Sequence, residues 1–182
     1  MHNEIYNIPI ETKSDIRIVN QPVFDKEATR LKAVERSNLL DTPPEPAFDA
    51  IVRRTANQFD VPIAVFTLVD TTRCWFKSKV GVDVDHVQRE IAFCNRVITT
   101  DAPLILEDVK SHEEFAGNPL VVDSPYAAFY AGVPVRSADM ESIGTLCIID
   151  TRPRTFPWQD FERLQEFAVS IEKEIETRNI VL

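Results

Sequence analysis

The chain has 182 residues, 44% of them hydrophobic, and a formal net charge of -9, a composition that predicts one folded domain rather than a disordered chain. The acidic excess argues against binding to nucleic acids or anionic membranes, which needs clustered Lys and Arg, and no apolar run approaches the ~20 residues of a membrane span. Three cysteines in apolar surroundings, and a start without the segments of a signal peptide, predict free thiols and a cytoplasmic location.

The N-terminal part of the chain predicts a tail followed by two helices. Residues 1–24 are polar and without periodicity, so we interpret them as a flexible tail, and residues 25–180 as a single domain. A first helix is predicted from Asp25, a possible N-cap, and it must end before Pro43. A second amphipathic helix is predicted to begin near Glu45.

Two strands are predicted next. Residues 61–69 are almost without polar side chains, which is typical of a strand buried on both faces. Residues 74–80 alternate, with Trp75, Lys77 and Lys79 on one predicted face. We interpret this segment as an edge strand with one polar face, because lysines discourage edge pairing.

The middle of the chain predicts a loop over residues 82–88, a third helix over residues 89–100 and a short strand near Pro103. Residues 111–125 contain Gly117, Pro119 and Pro125, which predict a loop with one or two short helical turns. The following segment, 126–150, predicts a β-hairpin whose second strand is apolar on nearly every residue and therefore central in the sheet.

The last helix is predicted from Pro157 to about Asn179. Its apolar residues alternate spacings of three and four and form a heptad seam, which consists of Phe161, Leu164, Ala168, Ile171 and Ile175. The order of all these elements predicts an α+β domain, with helices on the faces of an antiparallel sheet.

Six short sequence motifs together resemble those of one protein family. In order they are Leu40-Asp41-Thr42, Trp75-Phe76-Lys77-Ser78, Phe93-Cys94, Asn118-Pro119-Leu120-Val121, Phe129-Tyr130-Ala131-Gly132-Val133-Pro134 and Ile143-Gly144-Thr145-Leu146-Cys147. Over residues 27–178 they resemble the GAF domain, a small sensory fold related to the PAS domain, and above all the subgroup found in bacterial sensor histidine kinases and diguanylate cyclases. The resemblance implies a pocket on one face of the sheet and a helical dimerisation face on the other.

The resemblance also implies which residues surround the pocket, between the third helix and the loop around Asn118. The candidate ligand-binding residues are Trp75, Phe76, Arg89, Phe93, Cys94, Asn118, Phe129 and Tyr130. Arg89 could pair with a carboxylate or phosphate of a ligand. In the alternative interpretation the aromatic residues are core, and Arg89 pairs with Glu90, Asp85 or Asp150.

The cysteines have two interpretations. Cys94 and Cys147 are expected near the pocket, either as a redox pair or, as we favour, as small buried hydrophobes. One branch of the family reduces free methionine-(R)-sulfoxide, but its nucleophile falls near residues 121–123, which hold no cysteine. The scattered histidines predict no metal site, and the sequence requires no cofactor.

Cyclic-nucleotide and bilin binding are not favoured by the sequence. Asn118 is followed by Pro119 rather than by the lysine of the cyclic-nucleotide-binding members, and Cys94 is followed by Asn95 rather than by the histidine common at bilin attachment sites.

The hypothesis from sequence is a non-enzymatic sensory domain that binds a small molecule or a partner. It would relay the signal through its terminal helices in a homodimer, with the heptad seam at the interface, to an attached or separate kinase or cyclase of two-component or cyclic-di-GMP signalling. The alternatives are a free methionine-(R)-sulfoxide reductase-like redox enzyme and a ligand-free dimerisation module.

Overall fold

A six-stranded antiparallel sheet forms the middle layer of the molecule. The computed structural model describes residues 23–181, and its helices and strands in chain order are α1 (Val23–Arg36), α2 (Pro46–Phe59), β1 (Ile63–Val69), β2 (Arg73–Val80), β3 (His86–Gln88), α3 (Phe93–Thr100), β4 (Leu104–Leu106), α4 (Pro119–Val122), β5 (Phe129–Arg136), β6 (Ser142–Asp150) and α5 (Trp158–Val181). The strands lie in the order β3-β2-β1-β6-β5-β4.

Helices cover both faces of this sheet. The buried residues of α1, α2 and α5 pack on one face of the sheet, and those of α3 and the short helix α4 pack on the other. Strand β6 is central, as predicted, and its alternating side chains serve both layers: Leu146 and Ile148 face α2 and α5, whereas Cys147 faces α3. The α+β prediction is confirmed. Among the described residues, no helix has both the length and the apolar character needed to cross a membrane.

Several boundaries differ from the predictions. Helix α1 begins at Val23, so Asp25 lies inside the helix and is not its cap, and the rest of the predicted tail falls outside the described residues. The predicted loop 82–88 contains β3, which pairs with the first half of β2. The predicted third helix is divided, because a 3-10 turn at Arg89–Ile91 precedes α3 and Ala92 between them is extended.

A β-bulge in β2 changes which side chains face the helices. Phe66 pairs with Ser78 and Thr67 pairs with Phe76, so Lys77 has no partner of its own on β1. One extra residue shifts the alternation of side chains along a strand. Lys77 and Ser78 consequently both point toward α2, and the predicted polar outer face of an edge strand is wrong at this position.

Lys77 joins the connection between α1 and α2 to the sheet. Its ammonium group donates to Thr42 Oγ1 at 2.7 Å, to the Pro43 carbonyl at 2.7 Å and to Glu45 Oε1 at 2.6 Å. The side chain is 0% exposed. Three acceptors satisfy the three donors of a lysine, which makes burial of the charge tolerable.

The heptad seam of α5 packs against the chain's own sheet. Leu164 and Ile171 are 0% exposed, Ile175 is 2% exposed, and all three join the core formed with α2. Ala168 is also buried, and Phe161 packs at the margin of this core. The seam therefore has little surface for a second copy, and the prediction that it forms a dimer interface is corrected. Over two heptads, a helix that covers a sheet shows the same spacing as a coiled coil.

Candidate functional site

A cavity of about 400 Å³ lies between the sheet and α3. Strands β1, β2, β5 and β6 contribute to it, the start of α3 forms one wall, and the segments around β3 and after α4 complete it. Its volume is within the range of small-molecule sites. The residues that line it are Ile63, Val65, Thr67, Phe76, Gly81, Val82, Asp83, Val84, His86, Val87, Ala92, Phe93, Cys94, Leu120, Ser124, Pro125, Tyr130, Cys147 and Ile149.

Four of the eight candidate residues line this cavity: Phe76, Phe93, Cys94 and Tyr130. The rings of Phe93 and Tyr130 pack against each other with centroids 4.9 Å apart. The Tyr130 ring lies over Gly132, where a Cβ atom would come within 2.2 Å of the phenol oxygen. The aromatic side chains thus form one wall and leave the rest of the cavity open.

Trp75 and Phe129 lie on the opposite face of the sheet, in the core with α2 and α5. Each is the strand neighbour of a cavity residue, Phe76 or Tyr130, and adjacent side chains in a strand point to opposite faces. The expectation that all five aromatic candidates surround one cavity is therefore wrong for Trp75 and Phe129. Strand alternation alone required one member of each pair to face away.

Arg89 is engaged outside the cavity. Its guanidinium donates to Glu27 Oε1 at 2.7 Å, to the Asp70 carbonyl at 2.9 Å and to Asn95 Oδ1 at 2.9 Å. Partial burial favours a higher pKa for Glu27, but the hydrogen bonds from Arg30 and Arg89 outweigh it and lower the pKa to about 2. Arg89 thus joins α1 to the sheet, through a partner different from the three carboxylates considered from sequence.

Asn118 has a positioning role in the structure. Its Oδ1 accepts from the Leu120 backbone N–H at 2.8 Å and caps α4, while its Nδ2 donates to the Ile91 carbonyl at 2.8 Å. These bonds fix the α4 turn against the segment before α3. Asn118 therefore holds the loop that places Leu120 at the cavity, without lining the cavity itself.

The deep part of the cavity brings two thiols and a phenol together. Cys94 Sγ is 3.4 Å from Tyr130 Oη and 3.9 Å from Cys147 Sγ. The hydrogen bond with Cys147 lowers the pKa of Cys94 more than burial raises it, and Tyr130 lowers it further. The same contact raises the pKa of Cys147, and burial raises the pKa of Tyr130.

Thr67 was not predicted as a site residue. It lines the cavity and is 0% exposed, and its hydroxyl has no hydrogen-bond partner within the part of the chain that the structure describes. Buried polar groups are almost always hydrogen-bonded. The sequence did offer a signal, because Thr67 is the one polar residue in the apolar run of β1.

The residues that line the cavity include no lysine or arginine. Among its lining residues, Asp83 and His86 are the charged or basic ones, and both are exposed. The predicted countercharge, Arg89, belongs to a separate hollow of about 200 Å³ beside α1. Nor do the described residues contain a cluster of three His, Cys, Asp or Glu side chains able to hold a metal ion. The geometry therefore suits an uncharged, mostly apolar molecule.

Comparison with known proteins agrees with this architecture. The GAF domain of a phosphoenolpyruvate-protein phosphotransferase from Acinetobacter is similar, with a TM-score of 0.62, 18% identity, and 84% of this chain and 96% of that chain covered. A free methionine-R-sulfoxide reductase from Neisseria meningitidis, solved with its substrate, has a TM-score of 0.61 and 17% identity over 94% of this chain and 96% of that chain. At such identities the likeness concerns the fold.

Sequence comparison adds a curated relative and a family model. A cyclic di-GMP phosphodiesterase of Pseudomonas aeruginosa is 30% identical over 157 residues, which are 86% of this chain and 27% of that protein. The chain thus spans about a quarter of the length of this relative. The family model of the GAF domain matches residues 43–175. The chain belongs to the GAF domain family.

Proposed function

We propose that this domain is a non-enzymatic sensory module that binds a small, uncharged and mostly apolar molecule in the cavity beneath α3. The observation that carries the proposal is Thr67, a fully buried hydroxyl without a protein partner among the described residues, at the wall of an apolar cavity. A ligand with one hydrogen-bonding group would satisfy it.

The charge of the ligand can be tested with two probes of the same shape. Benzamide and benzoate differ in charge, and we expect benzamide to raise the melting temperature more, because no lysine or arginine lines the cavity. Native mass spectrometry of the freshly purified protein would identify a carried-over molecule. Stabilisation by benzoate in preference to benzamide would contradict an uncharged ligand.

The role of Thr67 has a matched control on the other face of the sheet. Thr67→Val keeps the shape and removes the hydroxyl, so we expect the affinity for benzamide to fall about fivefold, which corresponds to one hydrogen bond of about 1 kcal/mol. Thr55 is equally buried, but its hydroxyl donates to the Ile51 carbonyl in α2. Thr55→Val should leave the affinity unchanged, and equal losses in both variants would count against the site.

The signalling part of the proposal follows the relatives. The curated relative is a cyclic di-GMP phosphodiesterase, so we propose a cytoplasmic role in which the domain regulates an attached or separate output protein, a cyclase, phosphodiesterase or kinase, through α1 and α5. A homodimer would have to use the outer face of α5, where Trp158 and Val169 are exposed, rather than the buried seam. Sedimentation velocity across a range of concentrations tests the dimer.

The reductase alternative rests on the thiols and on the similar reductase folds. The loop that covers the cavity, residues 119–128, contains no cysteine to act as the external nucleophile. We expect no turnover of free methionine-(R)-sulfoxide with a dithiol reductant. Turnover that disappears in Cys94→Ser would overturn the non-enzymatic assignment.

A further inference from the structure

Two thiols meet at the deep wall of the cavity although 53 residues separate them in sequence. Cys94 lies in the first turn of α3, and Cys147 lies in the central strand β6. Both line the cavity, and their sulfur atoms are 3.9 Å apart. We propose that Cys94 and Cys147 are a modification site, which forms a reversible disulfide when a small hydroperoxide enters the cavity.

The distance between the sulfurs is compatible with this bond. A disulfide bond is about 2.05 Å long, so the two Sγ atoms must approach by roughly 2 Å from their present 3.9 Å separation. Both side chains are reached from the open cavity rather than from the packed core. The bond would join the start of α3 to the middle of the sheet.

The two cysteines lie in different surroundings, which suggests different roles. The hydrogen bond with Cys147, supported by Tyr130, lowers the pKa of Cys94, and the start of a helix also favours a thiolate. The contact with Cys94 raises the pKa of Cys147, which keeps this thiol protonated. We assign Cys94, in the first turn of α3, as the attacking sulfur and Cys147, in the central strand, as the resolving one.

The reaction proceeds in two steps. The Cys94 sulfur attacks the hydroperoxide, an S–O bond forms, the O–O bond breaks, and the alcohol or water leaves with the thiol proton, so that Cys94 becomes a sulfenic acid. The Cys147 sulfur then attacks the Cys94 sulfur, an S–S bond forms, the S–O bond breaks, and water leaves with the Cys147 proton. Two thiols are oxidised by two electrons, the peroxide is reduced, and a dithiol reductant reverses the change by exchange.

Cys74 is an internal reference for the experiment. It is 0% exposed and does not line the cavity. Burial, followed by the nearby Cys94, raises its pKa, so its thiolate is scarce and its sulfur is out of reach. We expect it to stay reduced under conditions that oxidise the other two.

The test is peptide mapping of the full chain after treatment with hydrogen peroxide or tert-butyl hydroperoxide. Trypsin places each cysteine in its own peptide: residues 74–77, 90–96 and 137–154. We expect a dithiothreitol-sensitive link between peptides 90–96 and 137–154, with peptide 74–77 unmodified. Met140 is 69% exposed and lies in peptide 137–154 with Cys147, so the extent of its oxidation measures the oxidant dose.

The outcomes are separable. A link that forms before Met140 is oxidised supports the proposal, and so does trapping of a Cys94 sulfenic acid by dimedone in Cys147→Ala. Oxidation of Met140 while the two peptides remain unlinked would overturn it, and so would a link that includes Cys74. Because the mapping uses the unaltered protein, a folding defect in the variant does not affect the result.

Discussion

At the scale of single residues, Gly132 and Tyr130 form one packing unit on β5. A Cβ atom at position 132 would come within 2.2 Å of the Tyr130 phenol oxygen. The Tyr130 ring is 0% exposed and packs on Phe93, so it has little freedom to move aside. Gly132 thus makes room for a side chain of its own strand.

We expect Gly132→Ala to destabilise the protein by about 1–3 kcal/mol, the usual cost of overpacking a filled core. Urea unfolding measures this loss. Gly117→Ala is the control, because nothing lies within 4 Å of an added Cβ there. In a Tyr130→Leu background the cost of Gly132→Ala should nearly disappear, and an undiminished cost would show that the ring is not the cause.

Glu27 gives the fold a pH dependence that can be worked out from its partners. Arg30 and Arg89 lower its pKa to about 2 from an ordinary 4.5, against the effect of partial burial. A lowered folded-state pKa contributes stability that is complete above pH 4.5 and is lost as the pH falls toward 2.

Glu27→Gln should therefore cost roughly 1–2 kcal/mol near pH 7, a value reduced for solvent screening because the carboxylate is about one third exposed. The gap between variant and wild type should close below pH 4.5, as followed by urea unfolding at several pH values. Glu35→Gln, on the exposed side of α1, is the control. A gap that is constant down to pH 2.5 would contradict the charge-based explanation.

At the scale of elements, the sequence predicted those strands and turns that hydrophobic periodicity and turn residues determine. The hairpin of β5 and β6, the buried β1 and the antiparallel sheet all follow from local patterns. The extra residue at Lys77 could not be predicted, because a bulge depends on the pairing of two strands. The contact of Cys94 with Cys147 likewise exists only after the sheet has formed. The family resemblance therefore indicated the face of the sheet that holds the cavity, and the bonds within the cavity could not be predicted from sequence.

The heptad seam of α5 leads to a prediction at the same scale. Ile171 is 0% exposed in the core with α2, whereas Val169 is 43% exposed on the outer face. Ile171→Ala should lower the free energy of unfolding by about 2–5 kcal/mol, and Val169→Ala should change it by no more than about 0.5 kcal/mol. Urea unfolding measures both.

Because the seam packs within one chain, the loss in Ile171→Ala should not depend on protein concentration. A loss that grows on dilution would indicate instead that the seam forms an interface between two copies of the chain.

At the scale of the whole molecule, one sheet separates two hydrophobic layers. Cys74 and Trp75 are adjacent on β2, and each is buried in a different layer: Cys74 with α3, and Trp75 with α2 and α5. Both layers pack on the same sheet, so unfolding of the sheet exposes the residues of both layers together. Both residues should therefore become accessible in a single cooperative transition.

The measurement compares the two residues along one urea titration. Trp158 is 68% exposed, so Trp158→Phe leaves fluorescence that reports Trp75 alone. A short pulse of iodoacetamide at each urea concentration, followed by trypsin, gives the labelling of Cys74 in the peptide of residues 74–77. We expect the two midpoints to coincide. Labelling of Cys74 at lower urea would show that the layer with α3 opens before the rest, so that the cavity could admit a ligand by local unfolding of α3 while the helical face stays folded.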